Sequence, residues 1–137
     1  MGRTRFYINK LFGRPSVFDF NLLGVSVRLG IASTREIQRA RETGTKSELL
    51  ELMLDSVTSG DTVFDIGSNI GLTSLLLAKH ENGIDSTFHC FEPEPKNFNQ
   101  LKQNIELNNL IGRVHPHQLA LGAEDGSVDL HLSLIHI

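Results

Sequence analysis

Thr62-Val-Phe-Asp-Ile-Gly-Ser-Asn-Ile-Gly71 is the stretch that decides the fold. Its β-branched and aromatic start predicts a short strand; Asp65 ends it, glycines turn the chain, and the apolar stretch from Ile70 to Ala78 predicts a helix. Strand, glycine turn and helix in that order describe a nucleotide-type ligand site. Gly67 can take positive φ and lets a ligand approach the backbone, while Gly71 allows the helix to pack tightly on the sheet. Asn69 tolerates left-handed backbone and offers an amide. The helix start presents N–H groups that suit a carboxylate or phosphate, and Asp65 can pair with an ammonium group or order the turn. A ligand carrying both amino and carboxylate groups satisfies both.

Spacing separates two cofactors. A dinucleotide fingerprint needs glycine at its first, third and sixth positions, but counting from Gly67 the third is Asn69 and the sixth is Leu72. Two glycines alone serve an ordinary strand-to-helix connection equally well, so the next strand matters. Ser86-Thr-Phe-His-Cys-Phe91 is rich in strand formers and delivers Glu92 and Pro93 at its tip, 92 − 71 = 21 residues past the last glycine. A carboxylate there can accept from both hydroxyls of a ribose diol. Capping of the helix after Pro95 is the plainer role for Glu92.

Three ordered runs now carry a resemblance: Phe64-Asp-Ile-Gly-Ser-Asn-Ile-Gly71, Phe91-Glu-Pro-Glu-Pro-Lys-Asn-Phe98 and Leu119-Ala-Leu-Gly-Ala-Glu-Asp-Gly126. Together they resemble the FkbM-type family of S-adenosylmethionine-dependent methyltransferases, over roughly residues 47–132. The resemblance implies an α/β, Rossmann-like class I methyltransferase fold and O-methylation of a hydroxyl on a sugar, polyketide or similar small molecule. It also implies the site: Asp65, Gly67, Ser68, Asn69 and Gly71 at the methionine end of S-adenosylmethionine, and Glu92 at its ribose. Pro93 would lie near the adenine, and Leu119 and Ala120 would close that side. Ser68 stands where the family commonly has alanine. A non-catalytic nucleotide-binding module of Rossmann-like fold is the alternative reading.

A complete fold of this type needs about seven strands, and only three are legible in 137 residues. The expectation is therefore a domain truncated after its third parallel strand and a following short strand, inactive by itself because its catalytic base would lie in the missing half; no catalytic residue is named. Residues 1–46 read as an N-terminal hairpin and helix extension and 47–132 as the N-terminal half of a methyltransferase domain. Residues 133–137, in the ending Leu132-Ser-Leu-Ile-His-Ile137, read either as a non-native read-through tail or as a strand cut at a boundary.

Composition sets further bounds. Hydrophobic residues make up 39% and charged residues 21%, ordinary values for a globular domain, and no apolar run approaches the ~18–20 residues that span a bilayer. The start Met1-Gly-Arg-Thr-Arg-Phe6 fits neither a myristoylation signal nor a secretory leader, so a cytoplasmic protein without a membrane segment is expected. Cys90 reads as an inert core thiol. Residues 1–46 carry nine Lys or Arg against three acids and residues 47–137 four against thirteen. The basic charges are scattered rather than blocked, which argues for a solvated face and against nucleic-acid binding.

Other elements can be placed coarsely. Residues 16–20 and 25–31 predict a hairpin about Leu23-Gly24, and Ser33 with Glu36 and Thr45 with Glu48 have capping-box spacing for two helices. Leu49, Leu50, Leu52, Met53 and Val57 predict one apolar helix face toward the sheet. Phe98, Leu101 and Ile105 mark a further helix that ends near Asn108-Asn109. His115 and His117 would share a strand face but lack companion ligands, so no metal site is expected, and His89 reads as a hydrogen-bonded core residue.

Overall fold

Alternation builds the first element. In the computed structural model, which describes residues 16–45 and 47–127, β1 (Ser16–Leu22) and β2 (Val25–Ile31) pair antiparallel. Leu23 and Gly24 both take positive φ, 50° and 79°, which suits a two-residue turn matched to strand twist. Val25, Val27, Leu29 and Ile31 point inward and are buried, whereas Ser26 and Arg28 face out.

Helices α1 (Thr34–Thr45) and α2 (Ser47–Ser56) follow. Ser33 Oγ accepts from the Glu36 N–H at 3.2 Å, and Glu36 Oε2 accepts from the Ala32 N–H at 2.9 Å, so the predicted capping box starts α1. The Thr45–Glu48 box rests on side chains outside the described set. The apolar face assigned to α2 needs correction. Leu50, Leu54 and Val57 are buried, while Leu49, Leu52 and Met53 are exposed. Spacings of four and three place residues 50, 54 and 57 on one stripe; 49, 52 and 53 fall beside it, and α2 packs against the next helix rather than the sheet.

The second sheet is parallel, in the order β3 (Thr62–Ile66), β4 (Thr87–Phe91), β5 (Val114–His117). Helix α3 (Leu72–Lys79) and a 3-10 turn (Glu81–Gly83) join the first two strands, and α4 (Pro95–Leu107) joins the last two. Both crossover helices also pack on β2. One core results: Val27, Leu29 and Ile31 meet Leu75, Leu76, Phe88, Leu101, Ile105 and Val114. The short strand expected beyond β5, if placed after residue 127, lies outside the described residues, as do residues 133–137.

Two asparagines brace the hairpin onto the layer behind it. Asn104 Oδ1 accepts from the Gly30 N–H at 2.7 Å, and Asn104 Nδ2 donates to the Ile70 carbonyl at 2.8 Å. One turn later Asn108 Oδ1 accepts from the Arg28 N–H at 3.0 Å, and its Nδ2 donates to the Arg28 carbonyl at 2.7 Å. Three backbone groups on the edge of β2 away from β1, the Arg28 N–H and carbonyl and the Gly30 N–H, thereby find side-chain partners.

The sheet's other face is open among the described residues. Phe64 and Ile66 are 61% and 66% exposed, and rings of Phe64, His89, His115, Phe91 and His117 stack across the three strands. His89 is therefore not a core residue: it lies on this open face, with Nδ1 2.9 Å from His117 Nε2. Strand alternation sends Phe88 and Cys90 inward and His89 outward. Among the described residues no helix is long and apolar enough to cross a membrane.

Candidate cofactor-binding site

The turn after β3 has the backbone its residue types foreshadow. Gly67, Asn69 and Gly71 take φ of 84°, 52° and 90°. A Cβ on Gly67 would meet nothing within 4 Å, so its glycine answers to conformation and leaves open space above the backbone. At Gly71 a Cβ would stand 2.5 Å from Leu101 Cδ1, so crowding adds to the positive φ. The close approach is to α4 rather than to the sheet.

Hydrogen bonds hold the turn to the neighbouring strand. The Phe91 carbonyl accepts from the N–H groups of Gly67 and Ser68 at 2.9 and 3.1 Å. Ser68 Oγ donates to the Asp65 carbonyl at 3.0 Å and lies 3.2 Å from that of Phe91, so the hydroxyl ties the two strand tips together. Asn69 Oδ1 accepts from the Ile70 N–H at 2.9 Å. Gly71 is the N-cap of α3, no side chain caps that helix, and its first-turn N–H groups have no partner within the helix.

Two carboxylates sit at the strand tips. Asp65 accepts a hydrogen bond from Ser74 Oγ on α3. Burial pushes its pKa up from the ordinary 3.8, the Ser74 bond opposes that, and the nearby Glu92 adds to it. Glu92 is buried. Its Oε2 accepts from the Asn69 N–H at 2.8 Å, and its Oε1 from the Glu94 N–H at 3.0 Å and Asn97 Nδ2 at 3.4 Å. The helix cap is Glu94, which accepts from the Asn97 N–H at 2.6 Å, so Glu92 instead pins the glycine turn to the tip of β4. Beneath them Cys90 Sγ donates to Ser74 Oγ at 3.2 Å; burial raises the thiol pKa to about 11, which keeps it protonated and unreactive.

A cleft of about 390 Å³ opens over the turn, within the size range of small-molecule sites. Asp65, Gly67, Ser68 and Asn69 line one side, with Leu72 and Thr73 from the start of α3; Glu36, Ala40 and Glu42 of α1 line the other. Glu92 reaches this group through Asn69, and Gly71 lies beneath it. Pro93, Leu119 and Ala120 are outside the lining; Leu119 and Ala120 are exposed beyond β5. Sequence reasoning missed Asn104, Ser74 and the whole α1 wall. For Asn104 a signal existed, since Asn104 and Asn108 stand four apart among the apolar positions of α4.

Relatives can now be set beside this geometry. Over 112 residues the chain is 28% identical to the hexuronic acid methyltransferase AglP of Haloferax volcanii, covering 82% of this chain and 44% of that protein. Over 67 residues it is 40% identical to the 31-O-demethyl-FK506 methyltransferase FkbM of Streptomyces tacrolimicus, covering 49% and 24%. Over that stretch the chain is similar in sequence to FkbM. It spans less than half the length of either relative. No protein-family model matches it. The Pyrococcus horikoshii protein PH0793 superposes on this chain with a TM-score of 0.54 at 22% identity, over 77% of this chain and 37% of that one. The fold is α/β and Rossmann-like over three parallel strands.

Proposed function

We propose that the cleft binds S-adenosylmethionine and that the chain is the cofactor-holding part of a methyltransferase acting on a hydroxyl of a sugar, polyketide or similar small molecule. The observation that carries this reading is the pairing of an uncapped helix start and left-handed glycine turn with a buried carboxylate on the adjacent strand, joined through Asn69 and Glu92. The cleft lining fits the group's amino-acid arm: N–H donors suit a carboxylate, Asp65 suits an ammonium, and Gly67 leaves room for approach, while Glu92 stands behind Asn69 at the neighbouring strand tip.

Asp65, Gly67, Ser68, Asn69 and Gly71 are assigned to the methionine end and Glu92 to the ribose, with Pro93, Leu119 and Ala120 on the adenine side. Ser74 and Asn104 position Asp65 and the Ile70 carbonyl behind them. When bound, the cofactor supplies a methyl carbon made electrophilic by its sulfonium. The chain's part is to fix that methyl for in-line attack by an acceptor oxygen, whose proton passes to a base not named among these residues. AglP, by its name, methylates a hexuronic acid, which supports a sugar-type acceptor.

Calorimetry with S-adenosylmethionine and NAD tests the cofactor. Saturable heat with the first and none with the second is expected, and Glu92→Ala should weaken the first about ten-fold, as for loss of a charge-assisted hydrogen-bond acceptor. NAD binding that disappears in Glu92→Ala would sink the reading. A methyl-transfer assay on a version extended to the relatives' length separates an enzyme from a non-catalytic nucleotide-binding module.

A further inference from the structure

The peptide unit between Ile70 and Gly71 decides whether the start of α3 is open. In a helix that began one turn earlier, the Ile70 carbonyl would accept from the Ser74 N–H, four residues on. Gly71 instead has φ of 90°, outside the helical region, and the Ile70 carbonyl accepts from Asn104 Nδ2 at 2.8 Å. Glycine makes both orientations of that peptide accessible, so local sterics do not choose between them.

Two hydrogen bonds make the choice. The Gly71 N–H donates to the Ser68 carbonyl at 2.8 Å within the turn, and Asn104 takes the other end of the peptide from α4. Asn104 is 0% exposed, and its Oδ1 accepts from the Gly30 N–H at 2.7 Å and from Gln100 Nε2 at 3.3 Å. Gly30 offers it a donor and Ile70 an acceptor, so one orientation of the amide serves both. The brace that seats the hairpin thus also sets the peptide ahead of α3.

We propose that Asn104 is a positioning residue of the cofactor site: it holds the Ile70 carbonyl back and so keeps the first-turn N–H groups of α3 free for the ligand. The inference rests on the reading of the cleft as an S-adenosylmethionine site. Asn104 lies outside the cleft lining and acts through the peptide it holds. Without it the carbonyl turns to Ser74, and a donor is spent inside the helix. Only ligands whose anionic group uses those donors sense the loss.

Binding of S-adenosylmethionine and of 5′-methylthioadenosine, which lacks the amino-acid arm and its carboxylate, tests this on the full chain. Two variants are compared: Asn104→Ala, which removes both bonds, and Asn104→Asp, of the same shape, whose ionised side chain still accepts from Gly30 but cannot donate to Ile70. Gly30→Ala is the control. Its Cβ would stand 2.5 Å from Gln100 Nε2, which disturbs the hairpin end of the brace and leaves the Ile70 bond. All three should lower the urea midpoint. The ratio of S-adenosylmethionine to 5′-methylthioadenosine affinity should fall about five-fold in both Asn104 variants, as for a lost hydrogen bond to a charged group, and stay unchanged in Gly30→Ala. An unchanged ratio in the Asn104 variants overturns the proposal, as does an equal fall in Gly30→Ala. Failure of both Asn104 variants to bind 5′-methylthioadenosine also overturns it, because Asn104 then serves folding alone. Absence of saturable binding of either ligand to the unsubstituted chain overturns the cofactor reading itself, on which the role depends.

Discussion

The two faces of the parallel sheet are made from the same three strands and meet opposite fates. On one face Phe88, Cys90 and Val114 are at most 1% exposed beneath α3 and α4. On the other, Phe64 and Ile66 are more than half exposed, and the rings of His89, His115, Phe91 and His117 stack without a covering layer among the described residues. Parallel sheets are ordinarily buried on both sides because their crossover helices cover them. Here both crossovers lie on one side, so the site is assembled over a packed face while an apolar face remains open.

The largest expected effect comes from truncating the packed face. Phe88→Ala should cost about 3–5 kcal/mol, enough to unfold a marginal chain, whereas Phe64→Ala should cost less than about 1 kcal/mol. Urea unfolding of both variants checks the contrast, and similar losses would break it. Phe64 and Ile66 together form an exposed apolar strip on an edge strand, so Phe64→Thr with Ile66→Thr should reduce self-association seen by light scattering. Unchanged association would place the sticky surface elsewhere, for instance at the exposed Leu49, Leu52 and Met53 of α2.

A smaller effect sits at the tip of β3, where Asp65 carries a raised pKa on the packed side. A group whose folded pKa is raised contributes stability below its unfolded value near 3.8 and loses it as pH rises through the folded value. Asp65→Asn stays neutral and still accepts from Ser74, so it should be more stable than the unsubstituted chain at pH 7. The difference should vanish below about pH 3.8. Denaturant midpoints across pH measure it, and a variant less stable at pH 7 would contradict the account. Weaker S-adenosylmethionine binding by the same variant would show stability and site chemistry opposed at one residue.

The smallest effect belongs to the open face. Desolvation, then the charges of His117 and His115, hold the His89 pKa below the usual 6.5. A lowered histidine contributes stability above pH 6.5 that is lost as pH falls through its folded value. His89→Gln should flatten the acid side of the stability curve slightly, and a steeper acid loss would overturn this. Because the rings are near solvent, salt should shrink the effect further.

Residue types that force a backbone made the site legible in sequence. Gly67, Asn69 and Gly71 lie in the left-handed region their side chains permit, and Glu92 stands at the tip of the adjacent strand. Where several residues could share a face, reading was harder. From Leu49 to Val57, six apolar residues in nine positions overfilled one stripe, and only packing chose Leu50, Leu54 and Val57. His89 was drawn into the core by its apolar neighbours, although alternation between Phe88 and Cys90 already turned it outward.

By itself the sequence determined the strand, turn and helix around Asp65–Gly71, the second strand ending in Glu92, and the hairpin at Leu23-Gly24. These are local matters: steric freedom at glycine, strand propensity and period-two or 3.6-residue patterning act over a few residues. Only the tertiary structure decided that Asn104 would span Gly30 and Ile70, that Glu92 would take the Asn69 N–H, and that α1 would wall the cleft. Those contacts join residues up to 74 positions apart, and no local preference encodes them. They arise because burying one core forces its backbone polar groups to find partners wherever the chain brings them.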